Sequence, residues 1–347
     1  MLGGRRGQAL SELRNPGSGF APARYYIEPA MPAEPLSHLP GARQVRVRSG
    51  DADAQARAQP GWRQHYEQLS PGAFDGLVQH LQLPGLRLVR EDSSCALHQR
   101  GDLGTDAYGL ALSGVAIFNG QCLQRDDLMV GRGDALDLVT PPHFSLIAVV
   151  VQADLLLPLW ERLCGKRPSA WIEAQVVLPA RAAAAAAVRK LHLEALQQLG
   201  ADAAPIAEEG ALLQLRDALL IEWIEALPEH VDLSDLPTQA ARKRLVQQAC
   251  ALMLAHADEP LSMLQVCRHV GASRRKLNDC FRDVLGTSPL KYLRALRLNG
   301  VRRELRGGAA SVQQAAARWG FWHLGELAAD YRRQFGELPS QTLKQRG

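Results

Sequence analysis

Ser273-Arg-Arg-Lys-Leu277-Asn-Asp-Cys-Phe281 runs on to Gly286-Thr-Ser-Pro289, and fifty positions later His323-Leu-Gly-Glu-Leu327-Ala-Ala-Asp-Tyr331 runs on to Gly336-Glu-Leu-Pro339. In each stretch two apolar residues one helical turn apart precede Gly-x-x-Pro. Each therefore predicts a helix that stops on glycine and cannot resume through the proline. Ahead of each lies a shorter amphipathic run: Leu264, Val266, Cys267 and Val270 before Gly271, and Val312, Ala315, Ala316 and Trp319 before Gly320. Short helix, glycine turn and second helix is the helix-turn-helix plan. Its repetition in register makes this end of the chain an all-α domain, with motifs at about 262–285 and 311–335.

The 347 residues include 40 Lys/Arg and 36 Asp/Glu, unevenly spread. From Ala240 onward there are 19 basic and 8 acidic residues, a net of +11; before it there are 21 and 28, a net of −7. A basic segment joined to an acidic one points to a polyanionic partner for the former alone. The length allows two cores. The six cysteines show no C-x-x-C and no metal-ligand spacing, so no zinc site is expected, and Cys267 and Cys280 read as small buried apolar residues. The Gly-, Arg- and Pro-rich start lacks the apolar stretch of a secretion signal, and no run long enough to span a bilayer follows. A cytoplasmic protein without membrane insertion is expected.

Residues 1–52 hold six of the twenty prolines and little periodicity, and read as disordered. Between about 77 and 152 short strands alternate with turns, including Val115-Ala-Ile-Phe, then Asn119-Gly120, then Gln-Cys-Leu123, a hairpin with the pair that a type I′ turn prefers. This predicts a small β-barrel or sandwich across 53–165. Helical periodicity follows over 166–231. Ala153–Cys164, Pro179–Leu199 and Glu208–Ala226 read as helices, the last with the stripe Leu212, Leu215, Leu219, Leu220 and Trp223. Residues 232–239, with Pro237, read as the linker to a DNA-binding domain at 240–347. The fold class is α+β: a small barrel or cupin-like sensor with a helical pair, then the double helix-turn-helix domain.

On the first recognition helix Leu277, Phe281, Val284 and Leu285 form the core stripe, which leaves Arg274, Arg275, Asn278 and Arg282 on the opposite face. Arginine pairs with guanine O6/N7 and asparagine with adenine N6/N7, each through two hydrogen bonds. Arg274, Arg275 and Asn278, near the helix start, are the base-reading candidates; Lys276 and Arg282 suit phosphate. The second recognition helix is expected to bury Leu324, Leu327, Tyr331 and Phe335 and to present Trp322, His323, Glu326 and Asp330. Gly325 and Ala328 stand where the first helix has Arg275 and Asn278 and cannot make such contacts. Trp322 fits either a sugar or thymine methyl, or core packing beside Phe321. Arg297, Arg302 and Arg303, on the connecting helix from Pro289, are phosphate candidates.

These motifs resemble the AraC/XylS family of bacterial transcription regulators, through Gly320-Phe321 in the second turn and the closing Phe335-Gly336-x-x-Pro339. Gly325, Leu327 and Ser340-Gln341-Thr342 depart from the family pattern without removing a helix or turn. Ala317–Tyr331, and more loosely Tyr66-Glu-Gln-Leu-Ser-Pro-Gly-Ala-Phe-Asp-Gly76, resemble the ethanolamine-operon regulators of that family. The resemblance implies a ligand-responsive transcription activator of a catabolic operon, with double-stranded DNA and RNA polymerase as partners. It also implies dimerisation through the helical pair, although packing within one monomer fits the same stripe. The implied effector is ethanolamine, with cobalamin as a possible companion, and no cofactor is required. A sensor domain responding to a partner protein is the alternative. No G-x-S-x-G, and no paired histidines with a carboxylate at cupin spacing, is present; His98 and His143 read as structural, and neither catalysis nor a metal is expected.

Overall fold

The computed structural model describes residues 43–345 except 60–62, 105, 134–135, 165–175, 199–208, 229–235 and 258–260. In chain order the first half forms β1 (Arg43–Ser49), α1 (Ala52–Arg57), β2 (Arg63–Gln68), β3 (Gly76–Leu83), β4 (Leu86–Ser93), β5 (Leu97–Asp102), β6 (Ala107–Ser113), β7 (Ala116–Phe118), β8 (Gln121–Leu123), β9 (Asp127–Arg132), β10 (Leu136–Thr140) and β11 (Phe144–Gln152). Then come α2 (Ala153–Cys164), β12 (Val177–Pro179), α3 (Ala182–Gln198) and α4 (Glu209–Glu225). The strands make a seven-stranded sheet, ordered β1-β3-β4-β11-β6-β9-β12, and a five-stranded sheet, ordered β2-β5-β10-β7-β8. Asn119 and Gly120 turn the β7–β8 hairpin with φ of 50° and 79°, as the sequence predicts.

Alternation along the strands creates the layers. Leu86, Leu88, Leu110, Leu128, Val130, Val149 and Val151 of the large sheet pack on one side with Leu212, Leu219, Leu220 and Trp223 of α4. Val89, Glu91, Ala148 and Val150 face the other way, into the space before the small sheet. The small sheet's outer face, with Ile117 and Val139, joins the core of the C-terminal helices. The barrel expected from sequence is therefore replaced by two open sheets. Short strands with frequent turns suit both architectures, and only pairing order separates them. The α4 stripe covers the sheet of its own monomer.

Two further expectations are corrected. Ordered chain begins inside the stretch read as disordered: β1 pairs antiparallel with β3, its valines alternating with arginines as an edge strand does. Residues 1–42 lie outside the described residues. The linker read at 232–239 overlaps α5 (Leu236–Ala255), because proline is tolerated in the first turn of a helix.

The remaining helices are α6 (Met263–Val270), α7 (Arg274–Leu285), α8 (Pro289–Gly307), α9 (Val312–Arg318), α10 (Leu324–Phe335) and α11 (Pro339–Lys344). Ser262, Ser273, Ser288 and Ser311 cap four of them by accepting a backbone N–H three residues on. Gly271, Gly286 and Gly336 end α6, α7 and α10 in the left-handed conformation. Leu277, Phe281, Val284 and Tyr292 anchor the first motif's core, and Val301, Leu305, Leu327, Tyr331 and Phe335 the second's. One helix, α8, serves both. Leu264 and Leu324 are exposed rather than inside.

Where α8 meets α9, a Cβ on Gly300 would lie 2.3 Å from atoms in the body of the Trp319 indole. We expect Gly300→Ala to destabilise the protein by about 1–3 kcal/mol through overpacking, despite a helix-propensity gain of up to about 1 kcal/mol. Urea denaturation checks this. A net gain in stability would show that the indole yields freely.

Candidate nucleic-acid interface

Ser273 fixes the start of α7, and its hydroxyl accepts from the Lys276 backbone N–H at 3.2 Å. The first turn thus projects Arg274, Arg275 and Lys276 into solvent, with Arg275 94% exposed. Asn278 is part-exposed and its Nδ2 donates to the Arg274 carbonyl at 2.8 Å. Asp279 stands 3.9 Å from Arg275 and 3.8 Å from Arg282. Exposed pairs at that distance are worth little and leave both guanidiniums available. One face therefore gathers Arg274, Arg275, Asn278 and Arg282, with Lys276 exposed at its flank, while Leu277, Phe281 and Val284 hold the opposite face in the core.

The second recognition helix differs. His323 starts α10 without a side-chain cap. Trp322 is 75% exposed, which removes the core-packing reading, and Leu324 beside it is 44% exposed. With His323, Gly325 and Glu326 also exposed, this tip is apolar and weakly charged. Asp330, expected on the open face, is buried and paired with Arg294 and, at 3.4 Å, Arg333.

The connecting helix overturns two phosphate candidates. Arg302 is 7% exposed, donates from Nε to Asp51 at 3.0 Å, and pairs through Nη2 with Glu337 at 3.1 Å. Its guanidinium carbon lies 4.5 Å from the Phe335 ring centroid. Arg303 donates to Asp53 at 2.9 Å, Glu67 at 3.0 Å and the Tyr66 carbonyl at 2.8 Å. Both arginines face the N-terminal half. Arg297 is part-buried, with Nε on the Ala257 carbonyl at 2.8 Å. Sequence counting credits these charges to a polyanion because their acidic partners are about 230 to 250 residues away.

A helix-turn-helix domain family matches residues 266–345, which take in the second motif and the first from within α6 onward. The probable thc operon regulatory protein of Rhodococcus erythropolis is 41% identical over 103 residues, 29% of this chain and 31% of that one. The XylDLEGF operon transcriptional activator of Pseudomonas putida is 42% identical over 76 residues, 21% of this chain and 24% of that one. The C-terminal domain is a DNA-binding helix-turn-helix domain of the AraC/XylS type. The chain spans about a third of the first relative's length and about a quarter of the second's. A solved AraC-type transcriptional regulator from Chromobacterium violaceum is 35% identical over 31% of this chain and 96% of that one, with a TM-score of 0.30. No helix among the described residues is long and apolar enough to cross a membrane.

The AraC/XylS-type domain is gripped from behind by the small sheet. Gln68, at the end of β2, exchanges hydrogen bonds with Asn299 of α8, its N–H donating at 3.3 Å and its carbonyl accepting at 3.0 Å. Its side chain donates to the Gln334 carbonyl at 2.7 Å, and Gln334 Nε2 returns a bond to the Gln68 carbonyl at 2.8 Å. Tyr292 Oη lies 3.1 Å from His98 Nδ1, whose Nε2 lies 3.0 Å from Asp137. The chain Tyr292 O–H to His98 to Asp137 satisfies all three groups. Burial pushes the Glu67 carboxyl up, but Arg303 and His65 outweigh it and hold the group at about 2. Asp53, sharing Arg303 without His65, is raised by burial. None of these contacts covers Arg274, Arg275, Trp322 or His323, which remain exposed.

Proposed function

We propose that the whole chain is a DNA-binding transcription activator in which α7 reads bases and α10 makes a more permissive, partly apolar contact. The observation that carries this reading is the exposed Arg274, Arg275 and Arg282 with part-exposed Asn278 on one face and exposed Lys276 at its flank, opposite a buried stripe. Arg274, Arg275 and Asn278 supply direct readout, and Lys276 and Arg282 take phosphates. Trp322 and Leu324 suit thymine methyls or sugar, with His323 and Glu326 at the same tip. The role of the Pseudomonas putida relative as an operon transcriptional activator supports the activator reading, with RNA polymerase as the expected protein partner.

The finer reading is a ligand-responsive activator of a catabolic operon. A largely apolar space of about 80 Å³ between the two sheets supports a small-molecule effector over a partner protein. Ethanolamine, suggested by resemblance, is small enough to try first; a corrinoid far exceeds that space.

In a gel-shift assay of the full chain on its upstream DNA, Arg275→Ala and Asn278→Ala should each relax preference at one half-site by about 1–3 kcal/mol. Lys276→Ala should weaken operator and random DNA alike and lower the salt slope by about one. Equal losses on operator and random DNA for all three would overturn the assignment of readout to α7.

A further inference from the structure

The space between the sheets has apolar walls, among them Val89, Leu103, Phe118, Leu138 and Val150, and its polar lining is Gln64, Glu91, Gln99 and Arg100. The Arg100 guanidinium interacts with Glu67 and Asp137 rather than with Glu91. Glu91 is 4% exposed. Its oxygens accept from Gln55 at 2.8 Å, Tyr66 Oη at 3.2 Å, Gln59 at 3.3 Å and Gln99 at 3.5 Å. Every one of these donors is neutral, and among the described residues no Lys, Arg or His pairs with Glu91. The neighbouring charge, Asp92, has the same sign. A buried carboxylate without a counter-charge is expensive, whereas one that faces a cavity can receive that charge from a ligand. The volume is below the roughly 150 Å³ of an engineered cavity that takes benzene, so the occupant has only a handful of heavy atoms.

The groups around Glu91 continue to the DNA-binding domain. Gln55 lies on α1 and Gln59 just beyond it, while Asp51, the N-cap of the same helix, pairs with Arg302 and Arg306 of α8 at 3.0 and 2.9 Å. Asp53, also on α1, holds Arg303. Tyr66 repeats the connection from the strand side, with its hydroxyl on Glu91 and its carbonyl accepting from Arg303. One six-residue helix thus touches both the cavity's polar end and the helix shared by the two motifs.

Resting on the sensor reading above, we propose that the inter-sheet cavity binds a small apolar primary ammonium with its charge on Glu91, and that α1 transmits occupancy to α8. The hydrocarbon part fills the apolar walls, and the ammonium displaces the long bond from Gln99 or Gln59. Burial pushes the empty-site Glu91 carboxyl up to about 7, against the bonds from Gln55 and Tyr66, so ammonium binding should weaken as pH falls below that value.

The test uses the full chain and n-alkylammonium chlorides from methyl to hexyl, with ethanolamine, butanol and butyrate as further arms. We expect one short alkylammonium to raise Tm and to bind by calorimetry, with butanol and butyrate weaker by about tenfold or more. Glu91→Gln should lose that preference. Ala148→Leu, which fills the cavity away from Glu91, should lose binding altogether, so the inference does not hang on the folding of one variant. Absence of any alkylammonium shift, or an undiminished response in Glu91→Gln, overturns the site. A stronger response to ethanolamine than to every alkylammonium overturns its apolar character. For transmission, the bound ammonium should change operator affinity in wild type and not in Asp53→Asn, with the calorimetric binding retained. Unchanged operator affinity in wild type overturns transmission. None of these failures touches the DNA-binding reading, which the α7 variants test separately.

Discussion

Arg302→Ala should lose about 3–5 kcal/mol of stability in urea denaturation, because removing one member of a buried ion pair leaves the others desolvated. Asp51 would keep Arg306 at 2.9 Å, but Glu337 would face a void in place of the guanidinium at 3.1 Å. The packing of that guanidinium on Phe335 would also vanish. Replacing the network by apolar side chains of similar volume should cost much less, since the desolvation penalty disappears with the charges. Operator affinity at a temperature where the variant is folded should show the wild-type salt slope. A salt slope lowered by about one, with stability unchanged, would mean that Arg302 leaves its pocket for a phosphate and that this seam opens on DNA.

Opposed pH effects are expected from two buried groups on either side of β4. His192 of α3 donates from Nε2 to the Val89 carbonyl at 3.0 Å; burial drives its pKa down to about 3, against the opposing effect of that hydrogen bond. Between pH 6.5 and 4.5 the unfolded chain gains this proton and the folded chain does not, so stability falls with pH by about 3 kcal/mol. Glu91, raised by burial to about 7, behaves oppositely. Its proton stays on the folded chain after the unfolded chain has lost it. Stability from this group is therefore present at low pH and lost, by about 3 kcal/mol, as pH rises from 4.5 through 7. Asp92 and Tyr66 are the titratable groups beside it and remain in both variants. In wild type the two slopes nearly cancel. Glu91→Gln should tilt the profile towards higher stability at alkaline pH, and His192→Phe towards acid. Urea midpoints across pH 4.5 to 7.5 would show this, and three parallel profiles would refute it.

The double motif was legible because its signals are local. The Gly-x-x-Pro stops, the glycine turns and the spacing from Leu277 to Phe281 all lie within a few residues of the feature they determine. The placement of Arg274, Arg275 and Asn278 away from the core followed from the same periodicity. What failed depends on distant partners. Arg302 and Arg303 have the composition and spacing of phosphate contacts, and only folding brings Asp51, Asp53 and Glu67 to them. Asp330 reads as a surface acid until Arg294 of another helix reaches it. The sheet order was hidden for the same reason, since β11 pairs with β4 and β6 rather than with β10, its neighbour in sequence. Glu91 gave no signal in sequence, because a carboxylate in a strand looks the same whether it meets water or an apolar wall.

The small sheet and the loop that leads from β2 to β3 hold both recognition helices by their tails. Ile117 lies 3.7 Å from where a Cβ on Gly286 would sit, just past the end of α7, and Ala73 lies 3.1 Å from the corresponding point on Gly336, just past α10. The two tips proposed to reach the bases are consequently spaced by a splint that is not part of either motif. Each base pair inserted between the half-sites rotates one relative to the other by about 35°, a mismatch that a loosely jointed pair of motifs would absorb and a splinted pair would not. The separation between half-sites thus becomes part of the message, read as a phase angle rather than as a sequence.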